Sequence, residues 1–82
     1  MKVTVRKKEN VIFIPIETEF IKLESAMKLA NCVSSGGTAK AVIQNEEVCV
    51  NGEVCTMRGK KLYPGDTFSF MGTEYIITIH GA

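Results

Sequence analysis

The sequence lacks most of the features that assign a chain to a class at once. It has no tryptophan, one histidine and two prolines among 82 residues. Its longest apolar stretch, Val11–Ile16, contains Pro15 and is far too short to cross a bilayer. No basic, apolar and small-residue succession at the N-terminus resembles a signal peptide, so we expect a cytoplasmic protein with no membrane partner. The short length predicts a single domain, residues 1–82, without room for a large enclosed catalytic cavity.

Cysteine and histidine are too few and too scattered for the commonest kinds of built-in chemistry. Cys32, Cys49 and Cys55 are an odd number and form no CxxC pair, which argues against a disulfide framework and against a structural zinc site. His80 has no acidic or nucleophilic partner near it in the sequence. The glutamates are placed as in solvated helix starts and turns, not as a general acid and base. We therefore predict no enzyme activity, no catalytic residue, no metal and no cofactor.

Charge of neither sign predominates, since ten lysines and arginines stand against nine aspartates and glutamates and give a formal net charge of +1. That total by itself argues against nucleic-acid binding, because such domains are usually clearly basic. Position matters more than the total, because phosphate contacts act locally. The densest basic cluster is Arg58, Lys60 and Lys61, and no acid lies between positions 57 and 65. Such a run is also typical of a solvated loop.

The first half of the chain predicts two strands and then a helix. Residues 2–7 alternate apolar and polar, residues 11–16 are rich in β-branched side chains, and residues 9–10 suit a tight turn, so we predict an N-terminal β-hairpin. Four apolar residues then recur at i, i+3, i+4 and i+7, which predicts a helix with Lys22 on its polar side and a stop at Asn31. The four residues are Leu23, Ala26, Met27 and Ala30.

A second helix and several strands are predicted after this. Ser35 can cap the first turn of the helix, which extends to about Gln44. Its buried residues are expected to be Ala39, Val42 and Ile43. Residues 67–71 and 75–79 predict two further strands after a turn at 64–66. The succession of two strands, two helices and several strands predicts the α+β class.

The hairpin after the second helix can close in two ways. A three-residue loop, residues 51–53, would keep three valines on one face and make two cysteines cross-strand neighbours on the other. A two-residue Asn51-Gly52 turn would divide the valines between the faces. We predict the longer loop because it keeps the valines together, and we interpret the cysteines as packing residues. The valines are Val48, Val50 and Val54, and the cysteines are Cys49 and Cys55.

The start of the second helix is also a possible anion site. Residues 34–37, SSGG, lack the spacing of a nucleotide-binding phosphate loop and follow a helix instead of a strand. Two glycines at a helix start can nevertheless leave backbone N–H groups open to an RNA phosphate. A tight turn between helices would equally call for small residues, so both interpretations stay open.

The predicted helices add Lys28 and Lys40 to the basic cluster. If the helix pair folds against the following hairpin, all five cations would share one surface while the acids collect elsewhere. Residues 2–8 hold four more cations, which would either extend this surface or solvate an edge strand.

An ordered set of short motifs runs along most of the chain. The motifs are FIKL at 20–23, KLAN at 28–31, VSSGGTAK at 33–40, VCVNGE at 48–53, RGKKL at 58–62 and GD at 65–66. Their order and spacing over about residues 19–71 resemble the RNA-binding domain of the ribosomal protein S-four type, in particular its small stand-alone bacterial members of the YaaA/YbcJ type. The resemblance implies a two-helix αL-like RNA-binding motif packed on a small, mostly antiparallel twisted sheet. Residues 1–18 would add the N-terminal β-hairpin and residues 72–82 a terminal strand.

The resemblance also implies which residues meet RNA. The implied contacts are Ser35, Gly36, Gly37, Lys40, Arg58, Lys60 and Lys61, and the charge pattern adds Lys28. Such domains often recognise structured RNA by shape, which is consistent with a surface without obvious base-stacking aromatics. Gly36 stands where the broader family usually has an arginine, as glycine does in the stand-alone members. Glu46 stands where a turn glycine is common, and Glu24 stands where the stand-alone members often have glycine. We therefore expect a modest affinity for RNA.

The sequence as a whole predicts a non-enzymatic protein that binds structured RNA. Ribosomal RNA is the expected target, with ribosome maturation as the process. The alternative is a protein-interaction module that docks to a ribosomal or ribosome-associated protein through its sheet edge or an apolar helix surface.

Overall fold

The computed structural model describes residues 11–80, which form an α+β fold as the sequence predicts. The elements are β1 (Val11–Ile16), β2 (Ile21–Lys22), α1 (Leu23–Leu29), α2 (Gly36–Gln44), β3 (Val48–Val50), β4 (Glu53–Val54), β5 (Lys61–Leu62), β6 (Thr67–Phe70) and β7 (Thr73–Ile79). Neither helix in this part of the chain is long and apolar enough to span a membrane.

The strands form one five-stranded sheet and one separate ribbon. The sheet has the order β1-β7-β6-β3-β4, in which β1 runs parallel to β7 and the other neighbours are antiparallel. We call the antiparallel pair of β2 and β5 the ribbon. The mostly antiparallel arrangement is therefore confirmed. Of the predicted N-terminal hairpin only the second strand is described, because residues 2–7 lie outside the described residues.

Both helices and the sheet share one hydrophobic core. In β6, Phe68 and Phe70 are buried while Thr67 and Ser69 are partly exposed, so one face of the sheet lies against the core. The ring of Phe68 stacks on that of Tyr75 in β7, with 4.6 Å between the centroids. The helices contribute Leu23, Ala26, Met27, Ala39 and Ile43. Burial of large apolar side chains, worth about 1.5–3 kcal/mol each, stabilises helices that are too short to persist alone.

Local signals in the sequence set the ends of the helices. Ser35 is extended and its Oγ accepts a hydrogen bond from the backbone N–H of Thr38 at 3.2 Å, which confirms the predicted cap. Past the C-terminal ends of α1 and α2, Asn31 and Glu46 have left-handed φ angles of 62° and 64°, and N–H groups return to carbonyls of the last turn. Asn31 is thus confirmed as a stop. A position with positive φ favours glycine, so Glu46 is the less favourable residue there. Val42, expected to be buried, is only partly so.

The β3–β4 hairpin closes with a two-residue turn, so the predicted three-residue loop is wrong. Val50 pairs with Glu53, and the intervening Asn51 and Gly52 have φ angles of 50° and 89°. Left-handed backbone at both positions suits the twist of a hairpin, and Asn-Gly adopts it most readily. Val54 is consequently separated from the two buried valines of β3 and is 54% exposed.

Asn51 fixes this turn against β6. Its backbone N–H donates to the carbonyl of Thr67 at 2.9 Å, and its Oδ1 accepts from the backbone N–H of Thr67 at 3.0 Å.

The register of the β3–β4 hairpin also separates the two cysteines that the longer loop would make cross-strand neighbours. Cys49 pairs with Val54, whereas Cys55 follows β4 and packs partly buried against the core.

Cys32 and Tyr75 form a titratable pair at the edge of the core. A hydrogen bond to the Cys32 sulfur, with burial as the second cause, raises the pKa of Tyr75 to about 12. Burial raises the pKa of the Cys32 thiol above its ordinary value of 9.0, although the bond from Tyr75 partly offsets this. Both groups therefore hold their protons more tightly in the folded chain than in the unfolded chain.

We expect the protein to lose stability in alkali through this pair. A raised pKa of an acid contributes stability that is present below the unfolded-state pKa and is lost as the pH rises through the folded-state value. The free energy of unfolding should thus decrease as the pH rises above 9.0 towards 12. Urea denaturation followed by circular dichroism over this pH range measures it. Tyr75→Phe keeps the ring and should show a shallower decline; an unchanged decline would contradict the assignment.

Candidate nucleic-acid interface

The basic loop at residues 57–60 is attached to the start of α1 by backbone hydrogen bonds. Residues 23 and 24 are the first of α1, which has no side-chain cap. The N–H of Leu23 donates to the carbonyl of Lys60 at 2.8 Å, and that of Glu24 donates to the carbonyl of Arg58 at 3.0 Å. The loop carbonyls thus satisfy N–H groups that a helix start leaves without intrahelical partners. The same contacts fix the loop, whose Arg58 and Lys60 are exposed.

An acidic residue lies within this basic group. Nη1 of Arg58 is 3.9 Å from Oε1 of Glu24. Lys28 follows Glu24 by one helical turn, so it lies on the side of α1 that Arg58 contacts. The structure therefore brings Arg58 and Lys28 to one side of α1, and it holds the backbone of Lys60 at the start of that helix. The expectation that the acids collect elsewhere is wrong at Glu24.

The ribbon places Lys61 beside three residues outside the predicted RNA-binding set. Lys22, assigned to the polar side of the first helix, instead lies in β2 directly opposite Lys61. The Nζ of Lys61 is 4.9 Å from the centre of the Phe20 ring, which in turn contacts the ring of Tyr63. Aromatic side chains therefore do occur next to the predicted basic residues. Tyr63 follows Lys61 by two positions, whereas only the strand pairing reveals Phe20, because its segment is far from Lys61 in the sequence.

The other predicted residues lie at the start of α2. Ser35 caps the helix, and the backbone N–H groups of Gly36 and Gly37 have no acceptor among residues 11–80. The first turn of α2 carries no acid. Lys40 follows Gly36 by one turn and is exposed, so it shares the side of the helix on which the glycines begin.

The two glycines are not required by packing. A Cβ atom at Gly36 would meet nothing within 4 Å, and one at Gly37 would meet only Oγ of Ser35 at 3.8 Å. Neither residue has a positive φ angle. The interpretation that this turn needs small residues for steric reasons is therefore unsupported, and the glycines leave an open helix end.

Unpaired positive charge is the common property of the lysines in these elements. Between residues 11 and 80, a carboxylate lies 3.9 Å from Arg58 and another lies 3.7 Å from the imidazole of His80, but none forms an ion pair with a lysine. The exposed, unpaired lysines are Lys22, Lys28, Lys40, Lys60 and Lys61. The helices α1 and α2 pack against each other, which links the lysines of α1, the basic loop and the ribbon to Lys40 of α2. Across the same residues no cluster of three or more histidine, cysteine or acidic side chains is arranged to hold a metal ion.

Comparison with known proteins shows which family and which individual proteins this chain is similar to. Residues 14–78 match the family model described as an S4 domain. The probable ribosome maturation protein RlbA of Bacillus subtilis (strain 168) is 46% identical over 59 residues, which are 72% of this chain and 83% of that protein. The solution structure of YbcJ from E. coli, described as revealing an ALFAL motif involved in RNA-binding, matches with a TM-score of 0.58 at 25% identity and covers 94% of this chain and 99% of that one. These findings confirm the resemblance that the motifs indicate.

Removal of the Glu24 carboxylate should strengthen binding of RNA. Glu24→Gln frees Arg58 from its ion pair and removes a repulsion for phosphate. We expect a gain in affinity of about two- to fivefold, because exposed ion pairs are worth up to about 1 kcal/mol. Glu17→Gln, which removes the partner of His80 instead, is the matched control and should leave the affinity unchanged. Fluorescence anisotropy with a labelled ribosomal RNA fragment measures both, and an unchanged or weaker affinity of Glu24→Gln would refute the expectation.

Proposed function

The chain belongs to the S4 domain family, and from this membership we propose that it is a cytoplasmic, non-enzymatic protein that binds structured RNA. The start of α2 is the observation that carries the proposal. Backbone N–H groups of Gly36 and Gly37 are open, and no acid in the first turn compensates the positive end of the helix dipole. Open N–H donors and a helix dipole together favour an anion such as a phosphate.

The presence of two glycines there supports a functional interpretation. A helix with glycine at a given position is less stable than one with alanine there by about 0.5–1 kcal/mol. Gly36 and Gly37 have room for a Cβ, so the fold does not require this loss of stability. A phosphate that approaches the helix end closely would require glycine at these positions, because a Cβ would restrict access to the backbone.

The lysines provide the second part of the proposed mechanism. Lys40 lies beside the α2 start, whereas Lys28 lies on α1, Lys60 in the basic loop and Lys61 in the ribbon. Each lysine that neutralises an RNA phosphate releases counterions, so affinity comes from local contacts even when the net charge is small. Arg58 belongs to the same surface, because its ion pair with Glu24 holds it against α1.

We propose ribosomal RNA as the target and ribosome maturation as the setting. The support is the 46% identity to a protein named as a probable ribosome maturation protein, together with the fold shared with a protein described as having an RNA-binding motif.

Docking to a ribosome-associated protein is the second candidate function. Ile12 and Phe13 of β1 favour it, because they are 46% and 62% exposed on the outermost strand of the described sheet.

Salt dependence distinguishes the two candidates. If three to five phosphates are contacted, the logarithm of the RNA affinity should fall by about three to five per tenfold increase in salt. Lys40→Ala and Lys60→Ala should each reduce this slope by about one, and the double variant by about two. Met57→Ala shortens an exposed side chain of the same loop without removing charge and serves as the control. Absence of binding to ribosomal RNA at low salt would refute the proposal, whereas a protein complex that survives nuclease and high salt would favour the second candidate.

Alanine at the start of α2 should move stability and affinity in opposite directions. We expect Gly36→Ala/Gly37→Ala to unfold at higher temperature, with about 0.5 kcal/mol gained at each position. Its RNA affinity should fall about tenfold, because a charge-assisted hydrogen bond is worth about 1.5 kcal/mol. Ala41→Gly, in the middle of the same helix, should lower the stability and leave the affinity unchanged. Thermal denaturation and anisotropy measure the two quantities, and an affinity of the double variant equal to that of the wild type would count against the α2 site.

A further inference from the structure

The ribbon presents four polar or aromatic side chains on one face. Its register pairs Ile21 with Leu62 and Lys22 with Lys61. Leu62 is fully buried, so the residues on either side of it point away from the core. Continuation of the register by one residue sets an aromatic pair beside the lysine pair. We call the four residues the platform: Phe20, Lys22, Lys61 and Tyr63.

The aromatic half of the platform is held in place, and its Tyr63 ring is exposed to solvent. The rings of Phe20 and Tyr63 are 5.7 Å apart at an angle of 49°, and Tyr63 is 43% exposed. Thr18 donates through Oγ1 to the carbonyl of Phe20 at 2.8 Å. The backbone N–H of Tyr63 donates to Oδ2 of Asp66 at 2.8 Å, which fixes the following turn. An aromatic ring on a fixed backbone is thus partly uncovered.

The cationic half of the platform is electrostatically unfavourable by itself. Lys22 and Lys61 are exposed and directly opposite each other, and like charges in that position destabilise a strand pair. No carboxylate between residues 11 and 80 forms an ion pair with either of them. The Nζ of Lys61 lies 4.9 Å from the centre of the Phe20 ring, so one cation is positioned beside the aromatic pair. An anion bound by both lysines would remove the repulsion.

We propose that the platform binds one unpaired nucleotide of the RNA. Its base stacks on the exposed ring of Tyr63, and its phosphate contacts the ammonium groups of Lys22 and Lys61. A planar base joined to a phosphate matches an open ring next to two unpaired cations, and stacking on aromatics accepts any base. β2 continues directly into α1, so the platform adjoins the basic loop. The inference rests on the proposed function and assigns it a preference for RNA with an unpaired base.

A bulged RNA tests the platform. The probes are a short RNA duplex and the same duplex with one unpaired 2-aminopurine, whose fluorescence is quenched when it stacks. We expect the wild type to bind the bulged duplex about tenfold more tightly than the plain one and to quench the fluorophore. Tyr63→Leu removes the ring and should lose both the preference and the quenching, with an unchanged affinity for the plain duplex. Tyr63→Phe should retain both.

The controls separate failure of the platform from failure of the proposed function. Phe13→Leu removes another exposed aromatic ring, which belongs to the five-stranded sheet, and should behave as the wild type does. If the wild type binds neither duplex nor ribosomal RNA, the proposed function fails and the platform with it. If the wild type binds both duplexes equally, or if Tyr63→Leu weakens both to the same extent, the platform inference alone is overturned. Loss of the preference in Tyr63→Phe would overturn the stacking geometry.

Discussion

The capping of α1 by a distant loop is the contact on which the rest of the interface depends. α1 starts directly after β2, and the helix has no side-chain cap. Its first N–H groups are satisfied by the carbonyls of Arg58 and Lys60. Because backbone donors and acceptors must be paired when they are withdrawn from water, this contact joins three features at once. It starts the helix, it orients the basic loop, and it brings β5 next to β2 so that the ribbon can form.

Both helices have backbone groups at their ends without intrahelical partners, and they differ in how the N-terminal groups are satisfied. At their C-terminal ends both use a residue with left-handed φ, Asn31 or Glu46, and both return N–H groups to the last turn. At their N-terminal ends they differ. α1 is closed by protein carbonyls, whereas α2 is capped by Ser35 and leaves Gly36 and Gly37 open. A closed end contributes to the fold, and an open end with small residues is available to a ligand. The fold therefore has a helix start that is free for an anion without loss of a structural contact.

The charge distribution explains how a nearly neutral chain can have an RNA-binding surface. Residues 1–10 hold four of the ten cations and one of the nine acids, so residues 11–80 carry six cations against eight acids. A long-range field cannot concentrate RNA on such a domain, and binding must come from contacts at short distance. The unpaired lysines are the groups that we propose for those contacts. Glu24 opposes them next to Arg58, which agrees with the modest affinity that the sequence leads us to expect.

The sequence by itself determined what depends on neighbours along the chain. The α+β order, the Ser35 cap, the Asn31 stop and the extent of α2 follow from signals within a few residues, because helix ends are governed by local hydrogen bonds. The tertiary structure decided what depends on pairing between distant segments. The hairpin loop was predicted one residue too long because Asn51 is fixed by Thr67, a contact that the grouping of valines does not reveal. The ion pair of Glu24 with Arg58 and the platform likewise exist only because the fold brings β5 and the basic loop against β2 and α1. Local periodicity carries no information about such partners, since cross-strand neighbours are set by register and not by sequence distance.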